Sequence, residues 1–288
     1  MGTIPGPLKY IFSWFSGDCK RLRSEISRAR QIIMPVIKKR RSIKAQALAD
    51  GKDIPSFNDA IEWAEAECGG KPYDPALVQL ALSVVAIHTT ADLLCQTLLY
   101  LANDPKLIIP LREEITSVLE AEGWTKNALD NMKLLDSAIK ETLRLKTKGA
   151  FTIRRLALTD VELPGGIMIH KGERITVDST NMGDPDIYPE PEKFDIYRFL
   201  RMRGHPVDKN KAQLVTTSAD MSGFGHGKQA CPGRFFSADE TKLALSQLLI
   251  KYDWKLAPGA SVEPVYVGAQ PIMNPASKFL YKCRNGDL

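Results

Sequence analysis

The sequence predicts a mainly α-helical protein with a small β-sheet region, and three observations carry that prediction. Apolar residues in the first half recur at helical spacing. The texture turns to short β-type runs after Gly149. A last apolar helix then follows Pro232.

Leu22, Ile26, Ala29, Ile32, Ile33 and Val36 line one face between Cys19 and Lys39, with basic residues opposite, which reads as an amphipathic helix. A shorter helix is expected from Ile54 to Cys68, after a Gly/Asp/Pro break. Asp74-Pro75 is a helix start, because Asp caps free amides and Pro suits the first turn. The segment that follows, Ala76 to Leu101, is apolar nearly all round and is expected to run through a core until Asn103-Asp104-Pro105. Two more helices are expected near Lys106 to Ala121 and Ala128 to Arg144. Val161 to Leu163, Ile167 to Ile169 and Arg174 to Val177 read as short strands. They are separated by Pro164-Gly165-Gly166 and Lys171-Gly172-Glu173. Asp184 to Arg203 is Pro-rich and irregular, and the last helix continues to about Tyr252. The chain is read as one domain, 1–288, helical through 148 and mixed β, loop and helix from 149.

The 288 residues are 44% hydrophobic and 25% charged, which excludes a disordered, fibrous or disulfide-scaffold protein. Basic residues number 39 against 34 acidic ones, and the one dense basic run is Lys38-Lys39-Arg40-Arg41. No aromatic residues are interleaved there, so nucleic acid is not the expected partner. The run reads as a solvated helix end, with a docking surface for an acidic partner as the alternative. Five cysteines without a Cys-x-x-Cys pair point to neither a disulfide framework nor zinc, and suit a reducing compartment. The Tyr10 to Phe15 run is too short for a signal peptide, and Gly6 stands where myristoylation wants Ser or Thr. No stretch approaches a membrane span, so the chain is expected to lack an anchor and to be cytosolic or peripheral.

The stretch Phe224-Gly225-His226-Gly227-Lys228-Gln229-Ala230-Cys231-Pro232-Gly233-Arg234 puts a cysteine in a glycine-rich loop that enters an apolar helix. A helix N-terminus favours thiolate over thiol. A thiolate on iron pushes electron density that favours O–O cleavage. In this reading Gly227 makes a sharp turn that aims amides at the sulfur. Gly233 lets the helix pass close to a flat macrocycle, and Phe224 shields the sulfur. The bland alternative is a buried cysteine in an ordinary turn.

Phe224, Gly227, Cys231 and Gly233 resemble the Phe-x-x-Gly-x-Arg-x-Cys-x-Gly signature of the cytochrome P-450 superfamily. Gln229 replaces its Arg, which normally pairs with a heme propionate. A glutamine donates a hydrogen bond without a charge, so weaker heme retention is implied, with Lys228 as partial compensation. Glu141-Thr142-Leu143-Arg144 fits the family's Glu-x-x-Arg element, and Arg198 supplies its second arginine. The resemblance implies a buried structural lock of Glu141, Arg144 and Arg198 behind the thiolate loop. Ala86-Ile87-His88-Thr89-Thr90 stands at the oxygen-activation motif. Thr89 would hold water and relay protons there, and His88 would shuttle them where an acid is usual. Arg155 is the expected propionate arginine, and Ala150, Phe151 and Thr152 are expected on the substrate side. His226 is not expected to be a ligand.

The resemblance implies heme b held by Cys231, a P-450 fold, and electrons from an NADPH-dependent flavoprotein reductase. Dioxygen and an apolar small molecule, a terpenoid or other fungal secondary metabolite, would be the substrates. It also implies the family's usual place at the cytosolic face of the endoplasmic reticulum membrane. Only the later part of the family's length is covered, so an N-terminally truncated member is expected. A catalytically inactive heme-binding remnant and a helical interaction module stay open beside the active monooxygenase.

Overall fold

The computed structural model describes residues 13–284. Gly6, the Met1-Gly2 start and the Tyr10 to Phe12 part of the aromatic run lie outside the described residues. Contacts group the chain into two compact units, 1–87 and 88–288, with the boundary inside one helix.

In the first unit α1 (Gly17–Ala49) continues ten residues beyond the expected end, passing through Pro35, and α2 (Ala60–Cys68) follows. The basic run is therefore inside a helix rather than at its end. Its two arginines are paired: Arg40 makes a two-pronged bond to Asp59 at 2.8 and 2.6 Å and Arg41 pairs with Glu65, as nearby Lys44 does with Glu62. Asp59 also caps α2 by accepting from the Ile61 and Glu62 amides. The Arg40 guanidinium, then the Glu62 amide, hold its carboxyl down at about 2. A periodicity reading sees like charges in sequence; the α2 acids that neutralise them come from elsewhere.

The long helix α3 (Pro75–Asn103) starts as expected, with Asp74 accepting from the Ala76 and Leu77 amides. Its core role holds only in part. Leu82, Val84, Val85 and Ile87 are exposed, whereas Leu93, Leu98, Leu99 and Leu101 are buried. Among the described residues α3 is long and apolar enough to cross a membrane, which corrects the expectation that no stretch approaches that length. The expectation looked for an unbroken apolar run, while His88, Thr89, Thr90 and Asp92 interrupt α3 without lowering its average far. Several polar groups of α3 have protein partners. Asp92 pairs with Lys146 and accepts from the Met273 amide at 2.6 Å, and Gln96 donates to the Val262 carbonyl at 2.6 Å.

The second unit adds α4 (Ile108–Glu122), α5 (Lys126–Asn131) and α6 (Lys133–Thr147), the last two dividing what reads in sequence as one helix. Met132 breaks the pattern between them. The start of α6 has no side-chain cap of its own; Glu114 of α4 supplies one, accepting from the Leu134 and Leu135 amides at 2.7 and 2.9 Å. Every residue from Leu134 to Arg144 is buried, charged ones included. Leu135, Ile139 and Leu143 join the core with Leu111 and Ile115 of α4 and Leu245 and Leu249 of α8 (Arg234–Lys251).

The strands form antiparallel pairs rather than one sheet. They are β1 (Phe151–Leu156) with β4 (Arg174–Asp178), β2 (Val161–Leu163) with β3 (Ile167–Ile169), β5 (Tyr252–Leu256) with β8 (Phe279–Cys283), and β6 (Val265–Val267) with β7 (Gln270–Ile272). A short helix α7 (Arg198–Arg203) ends the Pro-rich stretch. The mainly α architecture with a small β content is as the sequence predicts.

Charges on the buried face of α6 need partners, and Lys140 finds backbone ones. Its ammonium donates to the carbonyls of Lys211, Gln213 and Thr216 at 2.7, 2.5 and 3.0 Å and stands 5.1 Å from the Phe199 ring centroid. Burial pushes it down to about 7, with Asp136 opposing and Arg203 adding to the fall. Between about pH 7 and its unfolded range near 10 the folded chain binds fewer protons, so this group makes stability rise with pH across that window. Denaturant titrations at pH 7, 8 and 9 are expected to show a steeper rise for the native chain than for Lys140→Met. Equal slopes would remove Lys140 as the cause.

Candidate functional site

The loop that carries Cys231 is held close to α6 by the absence of a side chain. A Cβ on Gly223 would lie 2.5 Å from Leu143 Cγ. Just before it, the hydroxyls of Thr152, Ser179 and Ser222 form a triangle with edges of 3.0, 3.2 and 3.1 Å, joining β1, the end of β4 and the loop. Thr152 thus turns its hydroxyl toward this triangle. Ala150 is buried, Thr152 half-buried and Phe151 exposed. These hydroxyls and Gly223 escaped sequence reading because nothing in their spacing marks them.

Gly225 and Gly227 take φ of +73° and +71°, where L side chains are disfavoured, and turn the chain into a single 3₁₀ turn, Gly227–Gln229. The loop then closes on itself, the Cys231 amide donating to the Phe224 carbonyl at 2.7 Å and the Ala230 amide to the Gly227 carbonyl at 3.0 Å. Phe224 packs against the core. These two amides therefore serve the loop and not the sulfur, contrary to the expectation for this turn. Cys231 is a free, half-buried thiol whose Sγ has no hydrogen bond among the described residues. A Cβ at Gly227 or Gly233 would meet nothing within 4 Å, so the protein leaves space on this side. Gln229 and His226 are exposed.

Behind the loop the structure brings together Glu141, Arg144 and Arg198. Glu141 and Arg144 are wholly buried and Arg198 nearly so. Glu141 accepts from Arg144 at 2.8 and 2.7 Å and from Arg198 at 2.9 Å. The remaining donors of both arginines are spent on backbone carbonyls: Arg144 on Met182 and Pro191, Arg198 on Pro189, Glu190 and Lys193. One carboxylate thereby fixes an irregular stretch of chain, including Glu190 at φ +51°. Arg144 also lies 5.0 Å over the Tyr188 ring, and Tyr188 donates to the Asp220 carbonyl at 2.8 Å, just ahead of the loop.

On α3, His88 and Thr89 are exposed, while Thr90 is buried and its hydroxyl donates to Ser237 on α8 at 3.2 Å. That bond ties the His88-Thr89-Thr90 turn to the helix that follows Cys231. Arg155 lies on β1 beyond a bulge at Ile153, which has φ +48°. Its guanidinium donates to the neighbouring Arg154 carbonyl at 2.9 Å. Burial raises the Cys95 thiol, and no group of three or more His, Cys, Asp or Glu among the described residues could hold a bare metal ion.

Removing one partner from a buried, fully hydrogen-bonded ion pair strands the other, at a cost of about 3–5 kcal/mol. Glu141→Ala and Arg144→Ala are each expected to lower unfolding free energy by about that much. The double variant should cost far less than the sum. Additive losses in denaturant titrations would show that the pair does not act as a unit.

A family model for cytochrome P450 matches residues 3–283. The chain is 47% identical over 284 residues to the cytochrome P450 monooxygenase hepE of Aspergillus oryzae, covering 98% of this chain and 52% of that protein. It is 42% identical over 286 residues to the cytochrome P450 monooxygenase olcG of Penicillium canescens, covering 99% and 58%. The dihydromonacolin L monooxygenase mokC of Monascus pilosus is 40% identical over 284 residues, covering 99% and 54%. The chain spans about half the length of these curated relatives. With a match along nearly all of its own length, the chain belongs to the cytochrome P450 family.

Proposed function

We propose that this chain, as a single P450 domain, holds heme b through Cys231 and serves an oxygen-dependent oxidation of an apolar small molecule. A terpenoid or other fungal secondary metabolite is the proposed substrate class, and an NADPH-dependent flavoprotein reductase the electron donor. The observation that carries the reading is the free, half-buried Cys231 sulfur at the end of a loop whose backbone is closed by the Cys231–Phe224 bond. The residues fit the group. A single thiol with no companion ligands suits a metal that brings its own macrocycle. The open space at Gly227 and Gly233 and the exposed Phe235 and Phe236 offer an uncovered, partly apolar surface beside the sulfur.

Bound heme supplies an iron at which dioxygen is activated. The chain's own residues divide the other work. Cys231 Sγ ligates, and Phe224 keeps water from it. Thr89 holds water and passes protons, and His88 relays them from solvent, a role suited to imidazole near neutral pH. Arg155 and the Gln229 amide are the proposed propionate partners. Glu141, Arg144 and Arg198 hold the backbone behind the loop and touch no reacting atom. The proposed location is the cytosolic face of the endoplasmic reticulum membrane, in keeping with a family that is typically membrane-associated. Exposure of Gln229, an uncharged residue at the propionate position, favours an inactive heme-binding remnant as the second reading.

Reconstitution with hemin, reduction and addition of carbon monoxide are expected to give a strongly red-shifted, thiolate-type Soret band that Cys231→Ser abolishes. A chain that takes up no heme sinks both readings, and turnover with a reductase separates active from inactive. If Thr89 manages protons, Thr89→Ala should release severalfold more hydrogen peroxide per NADPH consumed. Unchanged coupling would remove that role.

A further inference from the structure

Both polar backbone groups of Cys231 are occupied by protein. Its amide donates to Phe224, and its carbonyl accepts from the Arg234 guanidinium at 2.8 Å. The same guanidinium donates from Nε to the Val215 carbonyl at 2.9 Å and stands 4.5 Å over the Phe235 ring, which restricts where it can turn. Val215 belongs to an irregular strap, 211–216, with almost no regular structure of its own. Lys140 of α6 holds the carbonyls of Lys211, Gln213 and Thr216. Asp136, one turn earlier, accepts from the Leu214 amide at 2.8 Å and pairs at 2.5 Å with Lys242 of α8. Ala212 and Leu214 are buried beneath.

We infer that Arg234 is a positioning residue for the Cys231 sulfur, bracing the Cys231 carbonyl against a strap that Lys140 and Asp136 anchor to α6. This brace shares no carbonyl with the Glu141 triad, whose arginines bind Met182 and residues 189–193. One face of α6 thus anchors two stretches by separate sets of bonds, the 211–216 strap that braces the loop and the 182–193 segment. A planar guanidinium can bridge two carbonyls from fixed directions, whereas a lysine ammonium at the end of a flexible stem cannot keep both in place. The functional meaning of the inference rests on the heme-thiolate reading; its geometry does not.

The test uses the full chain and two readouts. Amide hydrogen exchange followed by mass spectrometry needs no heme. In Arg234→Met the 224–233 segment is expected to exchange about tenfold faster, with 182–198 unchanged, as for a local opening released by lost bonds. Arg234→Lys, which keeps the charge, should give an intermediate increase, and it serves if the Met variant fails to fold. The second readout is the reduced, carbon monoxide-bound spectrum after hemin loading. Arg234→Met should convert part of the thiolate-type band to the band of a protonated or displaced sulfur. Lys140→Met, far from the sulfur, should act in the same direction, and the double variant should add little. Unchanged exchange in 224–233, or an equal rise across 182–198, overturns the brace. Native band proportions in Arg234→Met do the same. A native chain that takes up no heme defeats the heme reading, and the exchange result then decides the brace alone.

Discussion

Much of the second unit is organised by one helix that buries its charges. Within two turns α6 places Asp136, Lys140, Glu141 and Arg144 out of water, a burden no helix bears unless each charge is paired and hydrogen-bonded. Glu141 is the hinge of this arrangement because, among the described residues, it alone accepts from both Arg144 and Arg198. Each arginine then has donors left over, and those donors reach backbone carbonyls in stretches with little regular structure. A buried ion pair is weak evidence for stability by itself. Here it contributes specificity: it selects one path for 182–198 among the many that a Pro-rich segment could take.

The other charges of α6 work by the same chemistry in a different direction. Lys140 satisfies three carbonyls of the 211–216 strap, and Asp136 satisfies an amide within it while drawing in Arg203 and Lys242. Backbone groups that would otherwise be buried without partners thereby acquire them. The Cys231 loop follows from both fixed segments. Gly223 presses it against Leu143, the hydroxyl triangle ties it to β1, and only then do the positive-φ glycines turn it toward α8.

How much of this could be read from sequence follows from what each residue bonds to. The Cys231 loop was legible because glycines at fixed offsets from a cysteine have a local, conformational meaning. Glu141 and Arg144 were legible as a pair one helical turn apart, and Arg198 through its order along the chain. Lys140, Asp136 and Arg234 were not. Lys140 and Arg234 bond carbonyls of irregular backbone, and no residue type marks a carbonyl's position; Asp136 bonds an amide of the same strap and two cations distant in sequence. The acids that pair with Arg40, Arg41 and Lys44 were hidden for a related reason, lying some twenty residues away across a break. The second half of α3 was read as core correctly, since Leu93 to Leu101 pack inward, but the same apolar texture gave no sign that Leu82 to Ile87 stay exposed. Strands β6 and β7, three residues each, are too short to show a period, whereas the alternation of Tyr252, Trp254 and Leu256 in β5 was a usable signal hidden at the end of an apolar helix.

Seen together, these bonds separate two demands that the family signature combines. One is to hold the sulfur in place; the other, in the proposed reading, is to hold the heme by its carboxylates. Positioning is carried by bonds to the Cys231 backbone, from Phe224 on one side and Arg234 on the other, and both are present in full. The charged contact expected near the propionates falls at Gln229, which is neutral and exposed, and Arg155 spends one of its donors on a neighbouring carbonyl. In the proposed reading, a chain built this way keeps the position of its sulfur while loosening its grip on the ring. In that reading the sulfur's position and the hold on the ring then fall to different residues, Phe224 and Arg234 for the first, Gln229 and Arg155 for the second.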